Sequence, residues 1–398
     1  MQEQPCGSNR MPMKNIYLDH AASMPVDSRV LDYAKPYLRH PCNPSSLYEF
    51  GQQAKEALEE SRRKIATFIN AESEKTIIFT GNATEANNIA IRGTALRNQN
   101  KGKKILCSAI EHISVLNPMK ELQKQGWEFN IIPVDSHGLI EMKKLDELLT
   151  KETIVTSINY GNNEIGTIQP IKTISKHVHE HGNYLHVDGK AAAGKIPIDV
   201  QADDIDLLTL SSNDLNGPQG AGALYIKPGI KLQSIMPGGG QERGIRSGTE
   251  NIYSTVGMGI AAELAQQEMK TENQRLQKIR DTLINEITKI DETFLTGHPT
   301  QRLPHHASFR FNHIEGESIL LNMDAQGIQV ATGSACSSKT LEPSHVLLAI
   351  GLKHEQAHGS MILTLGKKNT IDQIPRIVTA VKKTVERLRM LSPLTKKV

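Results

Sequence analysis

Short runs of aliphatic and β-branched residues alternate with longer stretches of helical spacing through the first two thirds of the chain. The runs are Ile77 to Thr80, Lys104 to Ser108, Trp127 to Val134, Ile154 to Tyr160, Tyr184 to Asp188 and Leu207 to Ser211. They are short, fit a pleated surface, and are punctuated by Gly, Asn, Asp or Ser, so each predicts a strand. Between them, Thr84 to Arg97, Ile113 to Gln125 and Ile171 to His181 carry apolar residues at helical spacing. This alternation predicts an α/β fold with a mostly parallel sheet covered by helices. Beyond about Gly257 the pattern changes to a long charged helix, expected over Met258 to Ile290, then scattered strands and helices ending in Ile374 to Leu391. The expected organisation is a polar leader over 1–14, a large domain over 15–257 and a smaller α+β domain over 258–398.

A chain of 398 residues is long enough for a large core and for a second, smaller unit. Lysine plus arginine number 46 against 43 acidic residues, a net charge of +3 spread along the chain, so neither nucleic acid nor an anionic membrane is implied as a partner. No apolar run approaches membrane-spanning length, and residues 1–14 lack the apolar centre of a signal peptide, so a cytoplasmic protein is expected. Cys6, Cys42, Cys107 and Cys336 are widely separated with no CxxC pair, as single thiols in a reducing compartment would be.

Four segments carry candidate chemistry. In Gly81-Asn82-Ala83-Thr84-Glu85-Ala86-Asn87-Asn88 a strand gives way to a helix through a glycine and a hydroxyl residue. Such a helix start presents unpaired backbone N–H groups to a phosphate, although Thr84 also suits plain capping. Leu185-His186-Val187-Asp188 is a strand ending in an acid where open α/β sheets bind ligands; the carboxylate can pair with a protonated ring nitrogen or simply cap a turn. Thr209 to Gly222 places Ser211, Ser212, Asn213 and Asp214 before a glycine-rich turn, either a phosphate-gripping loop or a solvated one. Ala331 to Lys339 sets Cys336 among small polar residues without apolar periodicity, an accessible setting in which Lys339 can favour the reactive thiolate.

Together and in this order, these segments resemble the cysteine desulfurases of the NifS and IscS type, fold-type I pyridoxal phosphate (PLP) transferases. The likeness runs from Ile16-Tyr17-Leu18-Asp19-His20-Ala21-Ala22 and Asn43-Pro44-Ser45-Ser46 to Ser392-Pro393-Leu394, and the short Gly-Ser-Ala-Cys-Ser-Ser segment looks like the IscS branch. The resemblance implies a seven-stranded sheet in the large domain and a homodimer. It implies that Ala83, Thr84, Ser211 and neighbouring Ser212 hold the phosphate, with Thr249 reaching the phosphate of the partner subunit. His112 would stack on the pyridine ring, Asn163 would meet the ring hydroxyl, and Asp188 would keep the ring nitrogen protonated. Cys336 would take sulfur from substrate cysteine as a persulfide.

The departures from the family pattern fall in that same site. Where the family has Ser-x-His-Lys, this chain has Ser211-Ser212-Asn213-Asp214, so the Schiff-base lysine is replaced by Asp214. A family glutamine falls at Ala191, and the arginine that clamps the substrate carboxylate falls at Ile362. The expectation is therefore PLP or pyridoxamine phosphate bound noncovalently, with Asp214 paired to a cationic aminomethyl group, and with desulfurase turnover absent or very slow. Cys336 would then serve as a persulfide carrier, or as a ligand to a 2Fe-2S cluster shared with an IscU-like scaffold. The alternative is an active desulfurase, converting L-cysteine to L-alanine and an enzyme persulfide, that uses another base or anchor such as Lys190.

Overall fold

A computed structural model describes residues 15–41, 43–333 and 342–392, so Cys6, Cys42 and Cys336 lie outside the described residues. In chain order the described elements begin with β1 (Ile16–Tyr17), α1 (Ser28–Ala34), α2 (Glu49–Phe68), β2 (Ile77–Thr80), α3 (Ala83–Asn98), β3 (Lys104–Ser108), α4 (Ile113–Lys124), β4 (Glu128–Ile132), α5 (Met142–Leu148) and β5 (Thr153–Asn159). They continue with α6 (Ile171–Glu180), β6 (Tyr184–Asp188), β7 (Leu207–Ser211), β8 (Gly222–Ile226) and α7 (Ile252–Ile287). The last third holds β9 (Thr293–Leu295), β10 (His306–Phe311), α8 (Gly316–Asp324), β11 (Ile328–Gln329), α9 (His345–Ala349), α10 (His354–His358), β12 (Ser360–Thr364) and α11 (Ile374–Leu391).

Seven strands form the main sheet in the order β2-β8-β7-β6-β5-β3-β4. Only β8 runs antiparallel to its neighbours, so the α/β expectation of a mostly parallel sheet holds. Strands β3, β5 and β7 are buried along their whole length, as parallel strands covered on both faces must be, and antiparallel β8 between β7 and β2 is buried too. A second core gathers Leu276, Ile279, Leu283 and Ile287 of α7 with Phe309, Phe311, Met361, Leu363, Ile377 and Val381, and with Ile16 and Leu18 from the other end of the chain. There β9, β10 and β12 make an antiparallel sheet, and β1 pairs in parallel with β11.

Helix α7 starts six residues before the expected Met258, because Gly257 and Gly259 do not break it. A Cβ on Gly259 would sit 2.8 Å from Ser61 Cα, so the glycine is what lets α2 and α7 approach. Its first turns are buried against α1 and α2 and its last turns in the second core, so one helix ties the two cores together.

Candidate functional site

The parallel register brings the C-terminal ends of β2, β5, β6 and β7 to one edge. Asn159 pairs with Asp188, Asp188 with Thr209, and Ser211 and Thr80 both face Gly222. A Cβ at Gly222 would come within 2.8 Å of Thr80 Oγ1 and 2.7 Å of the Asn82 carbonyl carbon, so glycine is what lets the Gly81–Thr84 turn close over this edge. Helix α3 therefore begins at the crevice with its N-terminal N–H groups toward it, the geometry that suits an anion. The cap is Asn82, whose Oδ1 accepts from Glu85 N at 2.9 Å, not Thr84. Thr84 is exposed and Ala83 buried in the first turn, which leaves the threonine hydroxyl available.

Asp188 is buried at the end of β6. Its Oδ1 accepts from Lys190 N at 3.0 Å and its Oδ2 from Asn87 Nδ2 at 2.8 Å. Asn87 Nδ2 also reaches Ser114 Oγ at 2.9 Å, and Ser114 Oγ lies 2.7 Å from His112 Nδ1. A hydrogen-bonded chain thus orients the carboxylate and the His112 ring together. His112 caps α4 by accepting from Ser114 N at 3.1 Å, and burial pushes its pKa down, opposed by the nearby Asp188 charge. The neutral ring that results is suited to stacking on an aromatic cofactor.

The Ser211–Asp214 segment is no solvated turn. Ser212 and Asp214 are buried, and Asn213–Leu215 form a short 3-10 turn ending in left-handed Asn216. Asn213 Oδ1 accepts from Ser23 Oγ at 3.1 Å, so its side chain is engaged with the segment after β1. Asp214 Oδ1 lies 3.3 Å from Lys190 Nζ. Its Oδ2, like Ser212 Oγ, is buried with no hydrogen-bond partner among the described residues. Behind the turn, buried Lys195 donates to the Asp214 main-chain oxygen at 3.3 Å, and burial lowers its pKa to about 8.

Two buried acids border the crevice that the sequence reading did not assign. Glu111 Oε1 accepts from Asn159 N at 2.7 Å, Asn159 Nδ2 at 2.8 Å and Ser108 Oγ at 2.5 Å, while burial raises its pKa to about 8. Glu164 accepts from Ser344 Oγ, and burial raises its pKa to about 7. The described residues before Cys336 are tied to β12, and those after it to Glu164 and to the main chain of Glu111. Gly333 N donates to Ser360 Oγ at 3.0 Å, Ile362 and Ala331 exchange backbone bonds at 2.8 and 3.1 Å, and His345 Nε2 lies 2.9 Å from Glu111 O. Asn163, Glu164, His112, Gly333 and His345 line one cleft. Ile362 is buried in β12, and Ala191 is half-buried beyond Asp188.

Thr249, expected at the phosphate of a partner subunit, is exposed on the segment before α7. That segment is nonetheless fixed to the Gly81 turn, because Arg246 Nε donates to Glu85 Oε1 at 2.7 Å while Glu85 Oε2 accepts from Gly81 N at 2.5 Å. Among the described residues no group of three or more His, Cys, Asp or Glu is arranged to hold a metal ion. Likewise no helix among them is long and apolar enough to cross a membrane.

A helix start, a buried acid at a strand end and a histidine linked to it by hydrogen bonds suit a phosphorylated pyridine, and Asp214 Oδ2 and Ser212 Oγ are buried there without a partner among the described residues. Residues 16–377 match the class-V aminotransferase family, whose members are PLP-dependent. The chain belongs to that family, in its cysteine desulfurase branch. It is 50% identical over 379 residues to cysteine desulfurase IscS 1 of Archaeoglobus fulgidus, covering 95% of this chain and 99% of the relative. It is 46% identical over 385 residues to cysteine desulfurase IscS of Methanosarcina thermophila, covering 96% and 95%. A solved NifS-like protein superposes with a TM-score of 0.88 at 30% identity, covering 94% of this chain and all of that one.

Proposed function

We propose that this chain acts in iron–sulfur cluster assembly as a cysteine desulfurase-type protein that holds pyridoxal or pyridoxamine phosphate noncovalently. Cys336 is its working thiol, either carrying a persulfide or ligating a 2Fe-2S cluster shared with an IscU-like scaffold. The observation that carries the reading is Asp214: at the family's lysine position stands a buried carboxylate with one oxygen on Lys190 and the other unpartnered among the described residues.

In this reading Ala83 and Thr84 at the start of α3, with Ser211 and Ser212, take the phosphate, joined by Thr249 from a second copy of the chain. Asp188 holds the ring-nitrogen proton, His112 covers the ring face and Asn163 meets the ring hydroxyl. Asp214 Oδ2 accepts from an aminomethyl group, a charge-assisted bond available to the amine form of the cofactor. When bound, the cofactor supplies an electron sink for reactions at an amino-acid Cα. No amine stands at position 214 to hand the cofactor over or to move the Cα proton, and Ile362 cannot clamp a carboxylate. Losing such acid–base assistance costs a factor of about 10²–10⁴.

Three measurements test this. Purified protein given cysteine and PLP is expected to release no sulfide above the level of PLP alone, and a clear rate of persulfide formation on Cys336 would overturn the claim. Ligand extracted from the native protein is expected to be pyridoxal or pyridoxamine phosphate; finding neither removes the Asp214 pairing. Cys336→Ser is expected to abolish cluster assembly on a co-purified scaffold while the complex survives. The second reading, turnover through Lys190, is favoured by one observation, the amine lying 3.3 Å from the Asp214 carboxylate, yet that contact also engages the amine.

A further inference from the structure

His354-Glu355-Gln356-Ala357-His358 places two imidazoles four positions apart, the spacing at which side chains share one face of a helix and can meet one metal ion. In the structure these residues form α10, held at both ends: Lys353 N donates to Gln356 Oε1 at 3.0 Å before it, and Gly359 O accepts from Phe311 N at 2.7 Å after it. Ala357 anchors the helix in the main core. His354 is exposed and His358 half-buried, with ring centres 4.7 Å apart and planes at 64°. Two imidazoles bound to one tetrahedral ion at ~2.1 Å have ring centres about 5 Å apart. His358 Nδ1 lies 3.5 Å from Oε2 of Glu315, on the segment before α8, which leaves Nε2 for another partner. A carboxylate on one ring nitrogen is the common brace of a histidine that ligates metal through the other.

We propose that His354 and His358 bind a divalent first-row transition ion, with Glu315 orienting the His358 ring. The site stands apart from the cofactor crevice and does not depend on its occupancy. Imidazole suits Zn²⁺, Ni²⁺, Cu²⁺ and Fe²⁺, whereas Mg²⁺ and Ca²⁺ take oxygen ligands. Among the described residues no group of three or more His, Cys, Asp or Glu is arranged for a metal, so water completes the coordination. Such an ion is exchangeable, unlike one enclosed by four protein ligands. The arrangement also stops short of a hydrolytic zinc centre, which takes three.

The test titrates full-length protein, freed of metal by a chelator, with Zn²⁺ in a calorimeter. Wild type is compared with His354→Ala, His358→Ala, Glu315→Gln and Cys336→Ser. Wild type is expected to show a binding event that each histidine variant loses. Cys336→Ser is expected to keep it, which separates binding by imidazole from capture by that thiol, while Cys6 and Cys42 are common to every variant. Glu315→Gln is expected to weaken binding about tenfold. Excess Zn²⁺ is expected to raise the denaturation midpoint of wild type and not that of the histidine variants, and the midpoints without metal report whether each variant is folded. His354 is exposed, so its replacement tests the site without loss of packing. No zinc bound by wild type, or unchanged binding in either histidine variant, overturns the site. Full affinity in Glu315→Gln overturns the brace alone.

Discussion

At the scale of single residues, titration separates groups that the sequence presents alike. Glu111 keeps its proton to about pH 8 because burial disfavours its charge more than Asn159 and Ser108 stabilise it. An unfolded glutamate ionises near pH 4.3, so between about 4.3 and 8 the folded chain binds the proton that the unfolded chain has lost. Stability on this account is full at low pH and falls as pH rises towards 8; Glu164, with its pKa raised to about 7, acts with the same sign over a narrower window. Glu111→Gln is expected to flatten the fall in unfolding free energy between about pH 5 and 8 by up to ~1.4 kcal/mol per pH unit, read from urea midpoints across that range. An unchanged slope would mean that Glu111 is already ionised when folded. The positions of Asp188 and Ser211 at strand ends and of His112 before a helix were legible in the sequence, while the roles expected of them came from the family resemblance. The Lys190–Asp214 pair was not, since it joins positions on separate strand ends that only the sheet brings together.

At the scale of elements, the periods of 2 and 3.6 located most of the main-sheet strands and the helices between them to within one or two residues. The misplacements have local causes. A hydroxyl residue beside a strand end suggested Thr84 as the start of α3, but the preceding Asn82 adopts the extended conformation and its side chain satisfies Glu85 N. Asn82→Ala is accordingly expected to cost ~1 kcal/mol in chemical denaturation, and Thr84→Ala only a few tenths, the difference between a cap and an exposed first-turn residue. Helix α7 begins before the expected Met258, running through Gly257 and Gly259, and Gly259 serves the contact with Ser61 of α2. The 3-10 turn at Asn213–Leu215 reads as a polar loop from composition alone. It is buried because the turn packs against α7 and Lys195 bonds the Asp214 main-chain oxygen.

At the scale of the whole molecule, two buried arrangements hold the site's distant parts in place. Arg62 of α2 makes two bonds of 2.8 Å to Glu242, whose carboxylate also takes Phe79 N at 2.8 Å. Glu242 and Arg243 both sit in the left-handed region, at φ 46° and 58°, a conformation that needs such anchoring. Glu242→Ala would leave the buried Arg62 charge only its pair with the more exposed Glu59 and is expected to destabilise by up to ~3 kcal/mol, whereas removing both the Arg62 and Glu242 charges together should cost less. A double-mutant cycle on unfolding free energies measures that difference. The second arrangement is the pairing of β1 with β11, which draws Leu18 into the C-terminal core. Leu18→Ala is expected to lower stability by ~2–5 kcal/mol, detectable as a drop in denaturation midpoint.

The sequence by itself determined the alternating strands and helices, the acid at the end of β6, the helix start at the crevice and the replacements at positions 213, 214, 191 and 362. These are local or positional facts, set by side-chain period, turn chemistry and residue identity. Only the tertiary structure decided that Asp214 is buried rather than solvated, that it faces Lys190, and that Asn87 and Ser114 link Asp188 to His112. Burial and ion pairing depend on which strand ends lie side by side, and that is fixed by the packing of the whole sheet.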